Sequence, residues 1–390
     1  MRCSAVAFLA LAALAAPVAA AEAPAKSCPP PGTHVVRIGL DVQSDSAFPG
    51  IPQKFATRVR VLAAPADGPQ SGAGAGPTRG GPVHGVQIDT GSRGVLLPMA
   101  ALMSGGQLVE GVEILGDGSL KYTSDDLILK GKQARVTLEI GLTDPPGGAA
   151  TVTTTPIVVL AVEQTCPKNK PCTQGWDGGM MGIGFGRGPA PDQVPTPGTE
   201  NAYALDNPLI AVQGMQVGGA LQPAYTITKT ELLLGQTEET LQGFTFVPLT
   251  RRSLNPPDWW SPPACITLGQ GAAAKQSCGT MLLDTGITTM IVGLAEADRP
   301  AVPDGTVLTV TSPGPAAAGA AFSYSFTIGE PPHGAPYHAP VDPAQPMSPG
   351  QVRWGQPHAD GAFVNTGIHP IAGYDYHYDA GCGQLGFRRH

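Results

Sequence analysis

The sequence predicts an all-β protein made of two similar lobes that share a cleft. Glycine (52) and proline (41) are frequent among the 390 residues, which favours turns over long helices. Runs of β-branched and alternating residues recur between these turn residues. One short motif, an apolar strand that runs into Asp-Thr-Gly, occurs twice, at Asp89 and at Asp284. With 42% hydrophobic residues, the chain is long enough to bury a core in each lobe.

The predicted strands alternate apolar and polar residues or are rich in β-branched ones. They cover residues 34–40, 55–62, 86–97, 108–115, 121–129, 134–140, 156–162, 231–234 and 244–249. Clusters of proline and glycine cannot continue a strand ladder and therefore predict loops. The predicted loops cover residues 65–82, 186–198 and 255–263, and a further proline-rich excursion covers residues 331–350.

The first residues have the order of a secretory signal peptide. Met1 and Arg2 precede an uncharged, mostly apolar stretch that ends in three alanines before Glu22. This order predicts a signal peptide over residues 1–21, followed by a short segment over residues 22–32. No later stretch supplies the roughly 18 apolar residues of a membrane-spanning helix. We therefore expect a secreted or periplasmic protein that has no membrane segment after cleavage.

Charge and cysteine content exclude several classes of protein. The net charge is −7, and no basic run is interleaved with aromatic residues, so we expect no nucleic-acid partner. Removal of Cys3 with the signal leaves six cysteines, which predict three disulfides in an oxidising compartment. The cysteines form no Cys-x-x-Cys pair and the eight histidines no His-Glu-x-x-His pattern. We expect no metal, no cofactor and histidines at the surface.

The two Asp-Thr-Gly motifs carry the candidate catalytic residues. Val-Gln-Ile-Asp-Thr-Gly-Ser at 86–92 recurs as Met-Leu-Leu-Asp-Thr-Gly-Ile at 281–287. Two carboxylates within hydrogen-bond distance cannot both ionise cheaply, so one keeps a proton while the other loses it. The ionised member can then take a proton from water while the protonated one polarises a carbonyl group. This chemistry predicts Asp89 and Asp284 as the pair that hydrolyses a peptide bond.

The residues that follow each aspartate are predicted to support the pair. Glycine at the third position lets the backbone approach a carboxylate closely, and the threonine hydroxyls can form hydrogen bonds between the two loops. The supporting residues are Thr90, Gly91, Ser92, Thr285, Gly286 and Ile287.

Several further stretches match one known family. They are residues 89–98, 177–184, 230–235, 243–250, 367–379 and 386–387. Together with the two motifs, they make the chain resemble the pepsin-like aspartic proteases over most of its mature length. The resemblance implies a two-lobed fold, an amino-terminal lobe over residues 33–240 and a carboxy-terminal lobe over residues 241–390. It also implies an endopeptidase that acts on polypeptides, and we expect a monomer.

The resemblance also assigns a substrate-covering hairpin. Gly116, Asp117, Gly118 and Ser119 resemble its tip, and Asp-Gly is a good two-residue turn. The residue before the tip is usually tyrosine in the family, but it is Leu115 here. Tyr122 could replace that hydroxyl from the opposite strand, although a cross-strand packing role is the stronger interpretation.

The six cysteines allow 15 pairings, so the sequence alone does not fix the disulfides. Two pairs would close short local loops, and the third would tie together the chain ends, which lie side by side in the resembled family. The expected pairs are Cys166–Cys172, Cys265–Cys278 and Cys28–Cys382.

Departures from the family pattern lie near the second aspartate. Ile287 replaces a serine or threonine, and the segment that resembles the second apolar-apolar-Gly reads Asn365-Thr366-Gly367. Because isoleucine cannot donate a hydrogen bond, we expect Asp89 to be the ionised member and Asp284 to hold the proton. Activity should then extend to less acidic pH, and Ile287→Thr should move the profile back towards acid.

Two other functions remain open from the sequence. Leu115, Ile287 and Asn365 are compatible with a catalytically weak or inactive protein of this fold whose cleft binds a protein or glycan partner. An envelope structural or adhesive protein is a further alternative. Intact Asp-Thr-Gly motifs in both lobes favour the enzyme, because a pure binder has no need for a costly carboxylate pair.

Overall fold

The computed structural model describes residues 28–63, 80–122, 126–143, 150–187, 205–254, 257–295, 305–314, 319–359 and 361–390. The predicted signal peptide and most of the segment 22–32 lie outside the described residues. Within these ranges no α-helix occurs, and no helix is long and apolar enough to cross a membrane. The described chain is therefore built from strands, turns and short 3-10 segments, as the glycine and proline content predicted.

The strands follow one another along the chain in three groups. The first group is β1 (Val35–Gly39), β2 (Asp41–Ser44), β3 (Pro52–Leu62), β4 (His84–Asp89), β5 (Arg93–Pro98), β6 (Met103–Ser104), β7 (Gln107–Leu108), β8 (Glu113–Tyr122), β9 (Leu127–Ile140), β10 (Val152–Thr153), β11 (Ile157–Cys166), β12 (Thr173–Gln174) and β13 (Met180–Ile183). The second is β14 (Ala224–Ile227), β15 (Glu231–Gly235), β16 (Thr245–Pro248), β17 (Arg251–Leu254) and β18 (Pro257–Trp259). The third is β19 (Pro263–Leu268), β20 (Lys275–Leu282), β21 (Thr289–Gly293), β22 (Thr306–Ser312), β23 (Phe322–Ile328), β24 (Tyr337–His338), β25 (Gln351–Gly355), β26 (Ala362–Asn365), β27 (Tyr374–Asp379) and β28 (Gln384–Arg389). Short 3-10 segments cover Met99–Leu102, Gly271–Ala273, Pro332–Gly334 and His369–Ala372.

Three large sheets organise the described strands. The amino-terminal sheet runs β10-β9-β11-β5-β13-β4-β3-β2, with β8 added to β9 and β12 added to β11. The carboxy-terminal sheet runs β23-β22-β19-β20-β26-β21-β25-β24. The joining sheet, β1-β15-β14-β27-β28-β16, takes strands from both ends of the chain. The lobe boundary after residue 240 stays a prediction, since the joining sheet takes strands from both sides of it.

The two lobes repeat one strand arrangement around the Asp-Thr-Gly motifs. In the amino-terminal sheet, β13 lies between β4 and β5, parallel to the first and antiparallel to the second. In the carboxy-terminal sheet, β26 lies in the same way between β20 and β21. Each inserted strand is flanked on both sides, which explains its mostly apolar sequence. The arrangement brings each motif to the end of its strand, beside the inserted one.

The joining sheet packs its aromatic residues into a continuous core. Tyr225 and Tyr378 are fully or almost fully buried, and Phe185 stacks on Tyr378 with ring centroids 4.5 Å apart. Among the described residues three disulfides occur, Cys28–Cys382, Cys166–Cys172 and Cys265–Cys278. These are the three pairings that we expected, and the first links the chain ends beside the joining sheet.

The placement of the histidines differs from the sequence prediction at two positions. His369 and His377 are buried, with relative exposures of 3% and 0%. His377 lies in β27, where its ring nitrogens contact the Thr226 hydroxyl at 2.8 Å and the Gln236 side-chain oxygen at 3.0 Å. The surface prediction failed for His377 because both of its ring nitrogens find polar partners in and beside the joining sheet, which removes the main cost of burial. The His369 ring contacts the Ser348 carbonyl oxygen, which lowers the cost of its burial in the same way.

Candidate functional site

The two predicted catalytic aspartates occupy equivalent buried turns. Asp89 is the last residue of β4, and Asp284 follows the end of β20 by two residues. Their relative exposures are only 4% and 7%. The backbone N–H of Gly91 donates to Asp89 Oδ1 at 2.7 Å, and that of Gly286 donates to Asp284 Oδ1 at 2.8 Å. Each turn therefore holds its own carboxylate by a hydrogen bond from the motif glycine.

The motif glycines also bring the carboxylates of the two lobes together. A Cβ atom on Gly91 would lie 2.4 Å from the Asp284 carboxylate, and one on Gly286 would lie 2.5 Å from Asp89 Oδ1. Real side chains do not tolerate such contacts, so only glycine permits this approach. The structure thus places the Asp89 and Asp284 carboxylates next to each other between the lobes.

The motif threonines join the two turns by reciprocal hydrogen bonds. The Thr90 hydroxyl donates to the Leu283 carbonyl at 2.6 Å and accepts the Thr285 N–H at 3.0 Å. The Thr285 hydroxyl donates to the Ile88 carbonyl at 2.9 Å and accepts the Thr90 N–H at 3.1 Å. These four hydrogen bonds pair the N–H groups of both threonines and the carbonyl groups of Ile88 and Leu283, so they hold the two aspartate-bearing turns together.

The buried position of Asp89 changes its protonation. Burial, followed by the negative charge of Asp284, raises the pKa of Asp89 from 3.8 to about 7, although hydrogen bonds from Ser92 and Gly91 act in the opposite direction. Arg187 is enclosed nearby, where burial lowers its pKa while the charges of Asp284 and Asp89 act against this lowering. A carboxyl group that keeps its proton up to neutral pH is suited to act as an acid.

Each carboxylate has a second donor, but the two donors differ. The Ser92 hydroxyl donates to Asp89 Oδ2 at 2.5 Å. The Asn365 side-chain amide donates from Nδ2 to Asp284 Oδ2 at 2.6 Å. The expectation that Ile287 leaves Asp284 without such a donor was therefore wrong. The Asn365 side chain reaches the same carboxylate from the end of β26, a strand far from the motif in sequence.

This contact removes the reason for placing the proton on Asp284. The sequence predicted that Asp284 holds the proton because only Asp89 had a side-chain donor nearby. In the structure Asp284 accepts an N–H on each of its two oxygens, from Gly286 and from Asn365. The available signal was the coincidence of two departures, a missing hydroxyl at 287 and a polar residue in an apolar strand at 365, which compensate each other.

The predicted hairpin tip is wrong in position. Residues 116–119 lie inside β8, which pairs with β9 along its whole length, and the chain reverses between Tyr122 and Leu127. Gly118 faces Gly131 on the neighbouring strand. A Cβ atom on Gly131 would lie 1.9 Å from the Ala161 carbonyl oxygen. Glycine in this pair serves close strand packing rather than a turn. The predicted single strand over 121–129 is also wrong, because its first residues belong to β8, which ends at Tyr122, and its last to β9, which begins at Leu127.

The other hairpin residues take roles that differ from the expected ones. Leu115 lies at a β-bulge in β8 and is 38% exposed. Asp117 forms an ion pair with Lys132 on the neighbouring strand at 2.5 Å. Tyr122 pairs with Leu127 and packs against an apolar cluster that includes Leu120 and Leu129, as its cross-strand interpretation predicted. Gly116, Gly118 and Ser119 lie in the strand and not at its turn.

Comparison with known proteins supports the fold. The chain is similar to the aspartic proteinase from Irpex lacteus, with a TM-score of 0.51 and 13% sequence identity over 91% of this chain and 97% of that one. No protein-family model and no curated protein matches the chain. At this identity the likeness shows the fold alone: the chain has the all-β, two-lobed fold of the pepsin-like aspartic proteases. In the part of the chain that the structure describes, no group of three or more His, Cys, Asp or Glu side chains could hold a metal ion.

Proposed function

We propose that this protein is an aspartic endopeptidase that hydrolyses peptide bonds with a water molecule activated between Asp89 and Asp284. The observation that carries the proposal is the meeting of two buried carboxylates, each held against the other lobe's motif glycine. A binding protein or a structural protein has no need to bring two carboxylates together at this cost.

The pair can supply both proton transfers of hydrolysis. The ionised carboxylate takes a proton from water as the water oxygen bonds to the peptide carbonyl carbon. The protonated carboxyl gives its proton to the carbonyl oxygen, which forms a neutral diol. When the C–N bond breaks, the carboxyl that took a proton from water gives it to the leaving nitrogen. The carboxylate that had protonated the carbonyl oxygen takes a proton back from a hydroxyl of the diol. No covalent intermediate with the enzyme forms.

The proposed setting of this activity is an oxidising compartment outside the cytoplasm. Three disulfides among the described residues are typical of exported proteins. The predicted signal peptide over 1–21 supports the same location, secreted or periplasmic. We propose a monomer that acts on polypeptides and requires no cofactor.

A peptide-library and casein digest across pH tests the proposal, run with and without a transition-state inhibitor of aspartic proteases. We expect cleavage that the inhibitor blocks. Asp89→Asn and Asp284→Asn should each lower the rate at least 100-fold, because each removes one proton-transfer group without changing side-chain size. Thermal melts check that both variants fold.

The rival function is a protein of this fold whose cleft binds a protein or glycan partner. Leu115, which motivated this alternative in the sequence, lies at a β-bulge within β8 and not before a hairpin tip, so it no longer favours the rival function. The argument from Ile287 and Asn365 no longer favours it either, because Asn365 supplies the missing donor. Folded protein that cleaves nothing in the digest, at any pH, would support the rival.

A further inference from the structure

We propose that Asn365 is a positioning residue that keeps Asp284 ionised, so that Asp284 is the base of the pair and Asp89 the acid. This inference rests on the proposed function and names the role of each carboxylate within it. It concerns a residue outside both Asp-Thr-Gly motifs.

The geometry of Asn365 fixes which of its side-chain atoms faces Asp284. Asn365 is the last residue of β26 and is 6% exposed. Its Oδ1 accepts the backbone N–H of Gly367 at 3.0 Å. Since Oδ1 is occupied by a donor, the NH₂ group must point the other way, where it lies 2.6 Å from Asp284 Oδ2. The amide orientation therefore follows from the hydrogen bonds.

The donors on the two carboxylates differ in what they allow. Asp284 receives an N–H from Gly286 on Oδ1 and an N–H from Asn365 on Oδ2. Neither donor can act as an acceptor, so both favour the ionised form. Asp89 Oδ2 instead faces the Ser92 hydroxyl, which can rotate to accept a proton that Asp89 carries. The shared proton thus fits on Asp89.

The charges around the pair act in the same direction. Arg187 interacts with both aspartates, and Asp284 is the first of the charges, ahead of Tyr376, Asp89 and Asp258, that favour the protonated form of Arg187. The Arg187 guanidinium therefore favours an anion in the pair, and its interaction is larger with Asp284 than with Asp89. Asp89 is only 4% exposed and lies beside that anion. Both burial and the neighbouring negative charge favour the neutral form of Asp89.

The first test removes the donor and then restores it from another position. Asn365→Leu should move the acid limb of the kcat/KM profile to higher pH by about one unit, because a hydrogen bond to an anion is lost. Ile287 stands three residues after Asp284, as Ser92 stands after Asp89. Adding Ile287→Ser to the Asn365→Leu variant should therefore return the limb towards its original position.

A matched control separates this role from a merely structural one. Asn207 is also 6% exposed and bonds the Ile183 carbonyl and the Leu209 N–H. Asn207→Leu should lower the melting temperature and leave the pH profile in place. The inference is overturned if Asn365→Leu gives the profile of the parent protein, or shifts it no more than Asn207→Leu does.

Two further experiments keep the test decisive. If Asn365→Leu does not fold, Asn365→Asp has the same shape and replaces the donor by a carboxylate, which should move the acid limb to higher pH; an unchanged limb would refute the inference. Carbon-13 NMR of aspartate labelled at its side-chain carboxyl reads protonation without turnover. We expect one carboxyl that stays protonated towards neutral pH and disappears in Asp89→Asn. If it disappears only in Asp284→Asn, the inference is wrong, whereas absent cleavage alone would contradict only the proposed function.

Discussion

Thr90 and Thr285 accept each other's backbone N–H groups through their hydroxyls, at 3.0 and 3.1 Å. Each hydroxyl also donates to a carbonyl of the opposite lobe. The carboxylates therefore lie beside a contact between the lobes that four hydrogen bonds hold together. The position of the pair depends on this contact as much as on the aspartates themselves.

Replacing either threonine by valine should destabilise the protein by about 1–3 kcal/mol, because buried N–H and carbonyl groups would lose their partner. The double variant Thr90→Val/Thr285→Val should cost clearly less than the sum of the single variants, since each hydroxyl serves the same contact. Chemical denaturation of the four proteins measures this coupling. Strict additivity would show that the two turns do not support each other.

Adding one methyl group at Gly91 should disrupt catalysis. The new Cβ would lie 2.4 Å from the Asp284 carboxylate, so the carboxylates must separate, and kcat/KM should fall about 100-fold. Gly85→Ala, in the same β4 strand, is the matched control because nothing lies within 4 Å of its Cβ. Comparable rates in the two variants would contradict the close approach of the pair.

The raised pKa of Asp89 predicts how activity depends on pH. Since burial and Asp284 raise this pKa to about 7, activity should fall as pH rises through about 7, where the acid of the pair loses its proton. A profile confined to strongly acidic pH would contradict this.

The raised pKa of Asp89 also makes folding stability depend on pH. Between pH 3.8 and about 7 the unfolded chain has lost the Asp89 proton and the folded chain has kept it. Folding stability should therefore fall with rising pH by up to about 1.4 kcal/mol per unit from this group. Asp89→Asn should remove that slope. The melting temperature of the variant should therefore rise relative to that of the parent protein as pH increases. Parallel curves would refute the shift.

His377 should make the protein sensitive to acid. Burial, followed by the charge of Arg388, lowers the pKa of His377 from 6.5 to about 3. Between these values the unfolded chain binds a proton that the folded chain does not, so stability falls as pH falls, by up to about 1.4 kcal/mol per unit. His377→Gln should be less stable at neutral pH but flatter towards acid, as followed by denaturation at pH 7 and pH 4. The exposed His34→Gln is the control, and an unchanged slope in His377→Gln would contradict the prediction.

The sequence by itself determined the fold class, the two aspartates and the position of most strands. These features depend on local signals: the alternation in 55–62, the turn residues between runs, and an Asp-Thr-Gly motif that occurs twice. A duplicated motif implies a shared site because one carboxylate alone has no comparable chemistry. The three disulfide pairings also agreed with expectation, two from short loops and one from the family resemblance.

Only the tertiary structure decided which groups meet across the chain. Asn365 reaches Asp284 because β26 is inserted beside β20, 81 residues away in sequence from the aspartate, and no local pattern encodes that distance. Gly118 looked like a turn residue, but it faces Gly131 inside a long hairpin. His377 looked like a surface residue, but Thr226 and Gln236 satisfy it within the joining sheet. Hydrogen-bond partners, close approaches and burial are relations between distant residues, so they arise only when the chain is folded.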